Sequence, residues 1–236
     1  YDSDDAGARY QRAELPNLGG ASTRQNLEKW FDQVGSKLTP QDHLVFYFTG
    51  HGGPDDDKKA NRNTKLYLWG DDDGYSVRQF AEQLDKLDPN TETTLIMVQC
   101  ISGGFANVIY KDGDPKKGFS DHLRAGLFST ISTRMAAGCT AEIDEADYHE
   151  FSTAFFEGLC GESRTGKSVG LAADYDHDGK VSYAEAFGYS LLHSPTIDIP
   201  MTTSDQLLRD KSRFGKDGDD PAVLGKEAPW SQVIAA

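Results

Sequence analysis

Leu44-Val45-Phe46-Tyr47-Phe48-Thr49-Gly50-His51-Gly52-Gly53 and Leu95-Ile96-Met97-Val98-Gln99-Cys100-Ile101-Ser102-Gly103-Gly104 decide the fold. Each is an apolar run of strand length, with β-branched and aromatic residues, that ends in a polar reactive residue and then glycines. Unbroken apolar runs of this kind suit strands buried on both faces of a parallel sheet. Reactive groups in such sheets gather at the carboxyl ends of the strands. One run delivers an imidazole there and the other a thiol. A thiol attacks a carbonyl only as thiolate, and a nearby imidazole can take its proton. The glycines let a substrate backbone come close and leave N–H groups free for an oxyanion.

Between the two runs the pattern predicts a helix. Ser76-Val77-Arg78-Gln79 has the form of a capping box, and Val77, Phe80, Ala81, Leu84 and Leu87 form one apolar face. Strand, helix, strand makes the two runs parallel, with like ends together. Upstream, Ser22-Thr23-Arg24-Gln25 predicts another helix start, followed by Leu27, Trp30, Phe31, Val34 and Leu38. Lys65–Trp69 reads as a short strand, and Phe128–Ala137 as a further buried one. Residues 148–160 read as a helix with Phe151, Ala154, Phe155 and Leu159 on one face, and Gly161–Gly170 as a linker. That linker and the loop around Asp112–Lys117 are polar and suit proteolytic nicking. The fold class expected is α/β, a mostly parallel sheet flanked by helices.

The chain of 236 residues is long enough for a full core. A net charge of −14 argues against nucleic acid as a partner, since phosphates repel an acidic surface. The acid runs Asp55–Asp57 and Asp71–Asp73 read as solvated loop faces. No apolar run approaches the ~20 residues of a membrane span. The three cysteines, Cys100, Cys139 and Cys160, have no metal-like spacing and are not a disulfide framework. Cys139, Cys160 and His43, His122, His149, His177 and His193 lack the glycine-flanked setting of the pair and read as structural.

His51 lies about 50 residues upstream of Cys100, a spacing found in caspases. Thr49-Gly50-His51-Gly52-Gly53 and Gln99-Cys100-Ile101-Ser102-Gly103-Gly104 resemble the His-Gly and Cys-x-Ser-Gly boxes of caspase-like cysteine peptidases. Among these, the bacterial relatives of legumain look most similar. The resemblance extends to Ser22–Asn26, Asp42-His43-Leu44 and Tyr148–Ser152, and covers most of residues 20 to 195. It implies a His51/Cys100 dyad that hydrolyses peptide bonds in a protein or peptide substrate. It also implies an oxyanion hole made of the backbone N–H groups of Gly52 and Cys100, in a caspase-like sheet with helices on both faces. The first strand of the family has no counterpart in the polar residues 1–20. Val98 stands where metacaspases and legumains carry an acid, so no preference for Arg, Lys or Asn at the cut follows. The reading from another class is a catalytically silent caspase-like module that binds a protein partner.

Asp174-Tyr175-Asp176-His177-Asp178-Gly179-Lys180-Val181-Ser182-Tyr183-Ala184-Glu185 fits the EF-hand loop at every signature position. Asp174, Asp176 and Asp178 would supply side chains to a Ca2+ ion, Lys180 a carbonyl, Ser182 a direct or water-mediated ligand and Glu185 two oxygens. Val181 is the small apolar residue by which such loops pair. The competing reading is an acidic turn before a helix, with Ser182 as N-cap and Glu185 as its box partner. With no second loop to pair with, the site reads as structural rather than as a sensor.

The organisation expected is a polar segment over residues 1–20, a peptidase domain over 21–195 that includes the loop 174–185, and a mostly irregular tail over 196–236 packed on it, with a helix near Asp205–Arg209. The chain opens at Tyr1 rather than Met, which reads as a processed product. With the calcium loop, this leans the expected location towards an exported protein over a cytoplasmic one.

Overall fold

The computed structural model describes residues 16–57, 61–138 and 149–211. Most of the polar N-terminal segment, Tyr148, Cys139 and the tail from residue 212 lie outside these stretches. In chain order the elements are α1 (Arg24–Gln33), β1 (His43–Phe48), β2 (Gly52–Gly53), β3 (Lys65–Leu66), β4 (Tyr75–Ser76), α2 (Val77–Leu84), β5 (Glu92–Met97), β6 (Arg124–Phe128), α3 (Phe151–Cys160), α4 (Tyr183–His193), β7 (Met201–Thr202) and α5 (Thr203–Lys211). Short 3-10 stretches run over Gly35–Lys37, Ser102–Ile109, Lys111–Gly113 and Pro115–Lys117.

The principal sheet has the order β1-β5-β6-β7. The first three strands are parallel, and β7 runs antiparallel to β6. This is the expected α/β fold with a mostly parallel sheet, and its faces divide the core cleanly. Leu95 and Met97 of β5 pack with Phe31, Phe80, Leu84 and Phe105 on the side of α1 and α2. Ile96 and Leu127 pack with Phe151, Phe155 and Phe187 on the side of α3 and α4. Alternate residues of one strand thus enter two cores, which is why the sequence shows an apolar run rather than alternation. Each fully buried Phe contributes roughly 1.5–3 kcal/mol relative to exposure. Strand β1 forms the other edge of the sheet and leaves Val45 and Tyr47 half exposed.

Local signals place the helices, with two shifts. At α2 the Ser76/Gln79 capping box closes in both directions, as expected. At α1 the cap is Thr23 rather than Ser22: its hydroxyl accepts the Asn26 N–H, and the Asn26 side chain reaches back to the Ala21 carbonyl. Helix α3 ends at Gly161 in the left-handed conformation, and the stretch after it turns back through a Glu162/Ser168 bridge rather than running free.

The expected strand over Phe128–Ala137 is displaced. The strand is Arg124–Phe128, and residues 129–137 leave the sheet as an irregular loop. Its start was hidden because Arg124 is a charged residue whose side chain is buried, donating to Val108 O and to Asp85. In the tail, the helix expected near Asp205–Arg209 is α5 (Thr203–Lys211), and the strand β7 before it was not expected. Residues 201–211 add β7 and α5, and Met201 is 3% exposed in the core. The acid runs are solvated faces only in part: Asp56, Asp57, Asp72 and Asp73 are exposed, but the first residue of each run is not. Asp55 is buried, and its carboxylate accepts the backbone N–H groups of Asp57, Arg62 and Asn63. Asp71 is ion-paired with Arg24 at 2.7 Å.

Candidate functional site

Parallel pairing of β1 and β5 sets Phe48 opposite Met97, and the Val98 N–H donates to the Phe48 carbonyl just beyond. His51 and Cys100 each stand three residues past that pair, so both reactive residues leave the same end of the sheet side by side. The backbones touch there: a Cβ on Gly52 would overlap the Cys100 carbonyl oxygen. Gly52 and Gly53 also form β2, which pairs with β3 in a small antiparallel sheet of β2, β3 and β4. This holds the His51 segment beside Cys100, with the Tyr67 N–H on the His51 carbonyl at 3.0 Å. The glycine after His51 is therefore required by close backbone approach, independently of any substrate.

The turn after Cys100 is strained. Ile101 sits at φ 60°, ψ 20°, in the left-handed region. For a β-branched residue this is an outlier that costs about 1–3 kcal/mol and persists only where neighbours fix it. They do so here. The Ile101 N–H donates to Arg134 O at 2.8 Å, and the Gly103 N–H to Thr130 O at 2.8 Å. Gly103 and Gly104 have no room for a side chain, because Met201 and Thr130 crowd the first and Thr64 the second. Ser102 is fully buried; its hydroxyl lies 3.2 Å from that of Ser129 and accepts the Thr130 N–H.

The loop after β6 therefore closes over the cysteine. Cys100 is free and partly buried, and the Ala136 N–H donates to its Sγ at 3.4 Å. One residue on, the Ala137 N–H donates to Asp198 Oδ1 at 2.6 Å, and the Phe151 N–H at the start of α3 donates to Asp198 Oδ2 at 3.2 Å. Burial pushes the Asp198 carboxyl upward, against the lowering effect of these two N–H groups and of the nearby Arg134 charge. Neither Asp198 nor Ala136 was singled out by sequence. A carboxylate that caps a helix 47 positions away leaves no local pattern.

Three of the histidines read as structural have partners within the fold. His43 contacts Thr94 at 2.8 Å, His122 lies 3.2 Å from the Leu87 carbonyl, and His193 stacks on Tyr189. Cys160 is free and exposed at the end of α3.

The acidic loop lies elsewhere. Asp174, Asp176 and Glu185 each bring a carboxylate oxygen within 4.8 Å of the others. Asp174 is buried, while Asp176 is exposed. The loop is pre-shaped by its own backbone: Asp174 accepts the N–H groups of Asp178 and Gly179, and Asp178 accepts that of Lys180. Gly179 supplies the sharp turn at φ 86°. Glu185 accepts from Tyr175, Asp176 and Ser182, and these hydrogen bonds, those from Ser182 first, hold its carboxyl down at about 2. The Ser182/Glu185 capping box is formed as well, so one carboxylate serves both the helix start and the cluster. Three convergent carboxylates on a sharply turned loop can hold a hard metal ion. Val181 packs against the core of α3 and α4 instead of a second loop. On the helix that follows the loop, Tyr189 is buried and Leu192 is exposed. The Tyr183 ring meets His43 at the amino end of β1, so the loop sits at the end of the sheet opposite His51.

Among the described residues, no helix is long and apolar enough to cross a membrane. No family model matches the chain, and no curated protein does. Among solved structures, the chain is similar to protein GSU0716 from Geobacter sulfurreducens, at 13% identity and a TM-score of 0.36, over 49% of this chain and 56% of that one. The chain thus spans little more than half of that protein, and a likeness this slight carries no argument.

Proposed function

We propose that this protein is a caspase-like cysteine endopeptidase, similar to the bacterial relatives of legumain, with one structural Ca2+ in the loop 174–185. The observation that carries the reading is the parallel register of β1 and β5, which brings the His51-Gly52 and Cys100 backbones into contact at one sheet end. Two glycine-flanked reactive residues at that place, beside a strained turn, make a nucleophile and a base a better account than two incidental residues.

In this reading the His51 imidazole takes the Cys100 proton, and Sγ attacks the scissile carbonyl of a peptide substrate. The N–H groups of Gly52 and Cys100 hold the oxyanion. Collapse breaks the C–N bond, and His51 gives its proton to the leaving amine. Water then attacks the thioester with His51 again as base, which releases the acid and returns the proton to sulfur. In the loop, Asp174, Asp176, Asp178 and Glu185 would hold Ca2+ by side chain, with Lys180 by its carbonyl and Ser182 directly or through water. An ion held there would tie Asp174, Asp176 and Asp178 to Glu185 at the start of α4.

The test is hydrolysis of a peptide library by wild type, Cys100→Ala, His51→Ala and the double variant, with an irreversible thiol-alkylating peptide as probe. Each single change should abolish hydrolysis, and the double should lose no more, because the two residues act as a unit. Hydrolysis that survives in pure, folded Cys100→Ala protein rejects the dyad. A folded wild type that neither cleaves nor takes up the probe favours the silent module.

A further inference from the structure

We infer that Asp198 is a positioning residue for Cys100: its carboxylate holds the loop after β6 so that the Ala136 N–H is aimed at the sulfur. The inference rests on reading Cys100 as the nucleophile, and it names a residue that the dyad does not contain.

The chain of contacts is short and every link is polar. Asp198 reaches out from the segment before β7 and accepts two N–H groups from different parts of the chain, Ala137 at 2.6 Å and Phe151 at 3.2 Å. The Phe151 N–H is one of the orphan donors at the start of α3, so the carboxylate caps that helix where negative charge is favoured. Glu150, the residue at the cap position, makes no side-chain cap bond of its own. Helix α3 is anchored in the core by Phe151 and Phe155, both buried. Asp198 therefore ties the loop to a fixed element. The Ala137 link sets the position of the preceding peptide, whose Ala136 N–H meets Cys100 Sγ at 3.4 Å. Two residues before Ala136, Arg134 O takes the Ile101 N–H and holds the turn that presents the thiol.

A backbone N–H aimed at sulfur favours the thiolate over the thiol, because hydrogen bonds to a charged acceptor are the stronger ones. Nothing in this arrangement requires Asp198 to touch substrate. Its effect passes through one peptide unit, and losing it leaves the sulfur present but without its donor.

The experiment is the rate of iodoacetamide alkylation at Cys100 as a function of pH, read by peptide mass because Cys160 is also a free, exposed thiol. The proteins are wild type, Asp198→Ala, Asp198→Asn and Ala136→Pro, with a thermal melt for each. Asp198→Ala should slow alkylation about tenfold at neutral pH, the worth of one hydrogen bond to a charged group. Its profile should move to higher pH and rejoin wild type where the thiol is ionised in both. A change of packing alone would slow the reaction at every pH. Asp198→Asn keeps one carbonyl acceptor and should recover part of the rate. Ala136→Pro removes the donor and leaves Asp198 in place, so it should reproduce Asp198→Ala. Wild-type profiles in folded Asp198→Ala and Ala136→Pro overturn the inference. Should Asp198→Ala fail to fold, a wild-type profile in Ala136→Pro overturns it alone. Alkylation needs no peptide hydrolysis, which separates the two readings. An Asp198-dependent profile in a protein that cleaves nothing leaves the positioning role standing and removes the peptidase.

Discussion

The two candidate sites are built in opposite ways. The acidic loop draws its ligands and almost all its hydrogen bonds from twelve consecutive residues, with Asp174 and Glu185 satisfied by the N–H groups between them. The cysteine end draws on β1, β5, the loop after β6 and the segment before β7, and its bonds span tens of residues, from Ile101 to Arg134 and from Ala137 to Asp198. A local site needs the right residues at the right spacing. A dispersed site needs the whole sheet in register before any of its groups meet. The two also lie at opposite ends of β1, roughly 20 Å apart at strand geometry. Metal at the loop should therefore govern stability and leave the thiol alone.

Two glycines give the sharpest contrast, and the first carries the largest effect. Gly52→Ala places a methyl group against the Cys100 carbonyl and must push the two strand ends apart. Peptide hydrolysis should fall by about 10²-fold or more, as expected for a displacement near 1 Å, while the calcium response is unchanged. Wild-type turnover in this variant would show that the two backbones need not touch for activity. Next comes removal of the metal. With calcium tenfold above its Kd, binding adds ~1.4 kcal/mol to stability, which chelation should remove as a lower melting temperature. Glu185→Gln should melt like the chelated wild type, and Cys100 alkylation in the folded protein should not change. Identical melts in all four conditions would leave the loop an acidic turn.

Gly179 has open space around it but φ 86°, so Gly179→Ala carries only backbone strain, about 1–2 kcal/mol. It should weaken calcium binding about tenfold without touching hydrolysis, measured by calorimetric titration. The smallest effect is at Tyr189, whose hydroxyl donates to Glu157 at 2.9 Å and joins α4 to α3. Burial, then the Glu157 contact, pushes its hydroxyl up to about 12 from 10.0. A raised folded value means the contribution is complete below pH 10.0 and is lost as pH rises through about 12. The stability gap between wild type and Tyr189→Phe should close over that window in alkaline unfolding curves. A gap that does not vary with pH would mean that folding does not raise the pKa of this hydroxyl.

The same contrast explains what could be read from sequence. The apolar run ending at Cys100 betrayed a parallel strand because both faces of β5 are covered, the run ending at His51 is as apolar although β1 leaves Val45 and Tyr47 half exposed, and the Ser76 box betrayed α2 because a cap is local. In the twelve-residue loop, the convergence of Asp174, Asp176 and Glu185 and the sharp turn at Gly179 were legible, because their spacing is local. Residues 129–137 were not, since Ser129-Thr130-Ile131 has strand propensity, yet beyond the Ser129 N–H, which still donates to Met97 O of β5, its polar groups are spent on Ser102, Gly103 and Gln99. Strand β7 is two residues long, below any periodicity. Ser22 and Thr23 are equally good caps in isolation, and only the Asn26 contacts choose between them.

The left-handed Ile101 has a consequence for the order of folding. Its conformation is disfavoured by its own side chain, and the bonds that impose it come from Thr130 and Arg134, on the far side of β6. The cysteine turn therefore cannot nucleate by itself. Closing a stretch of that length costs entropy that only sheet assembly repays, so the turn forms after β6 has joined β5. The thiol is a late arrival in a scaffold that precedes it. Native-state hydrogen exchange would read this directly: the amides of Ile101, Gly103 and Ala136 should open together, below the free energy that protects Leu95 and Ile96 in the middle of β5.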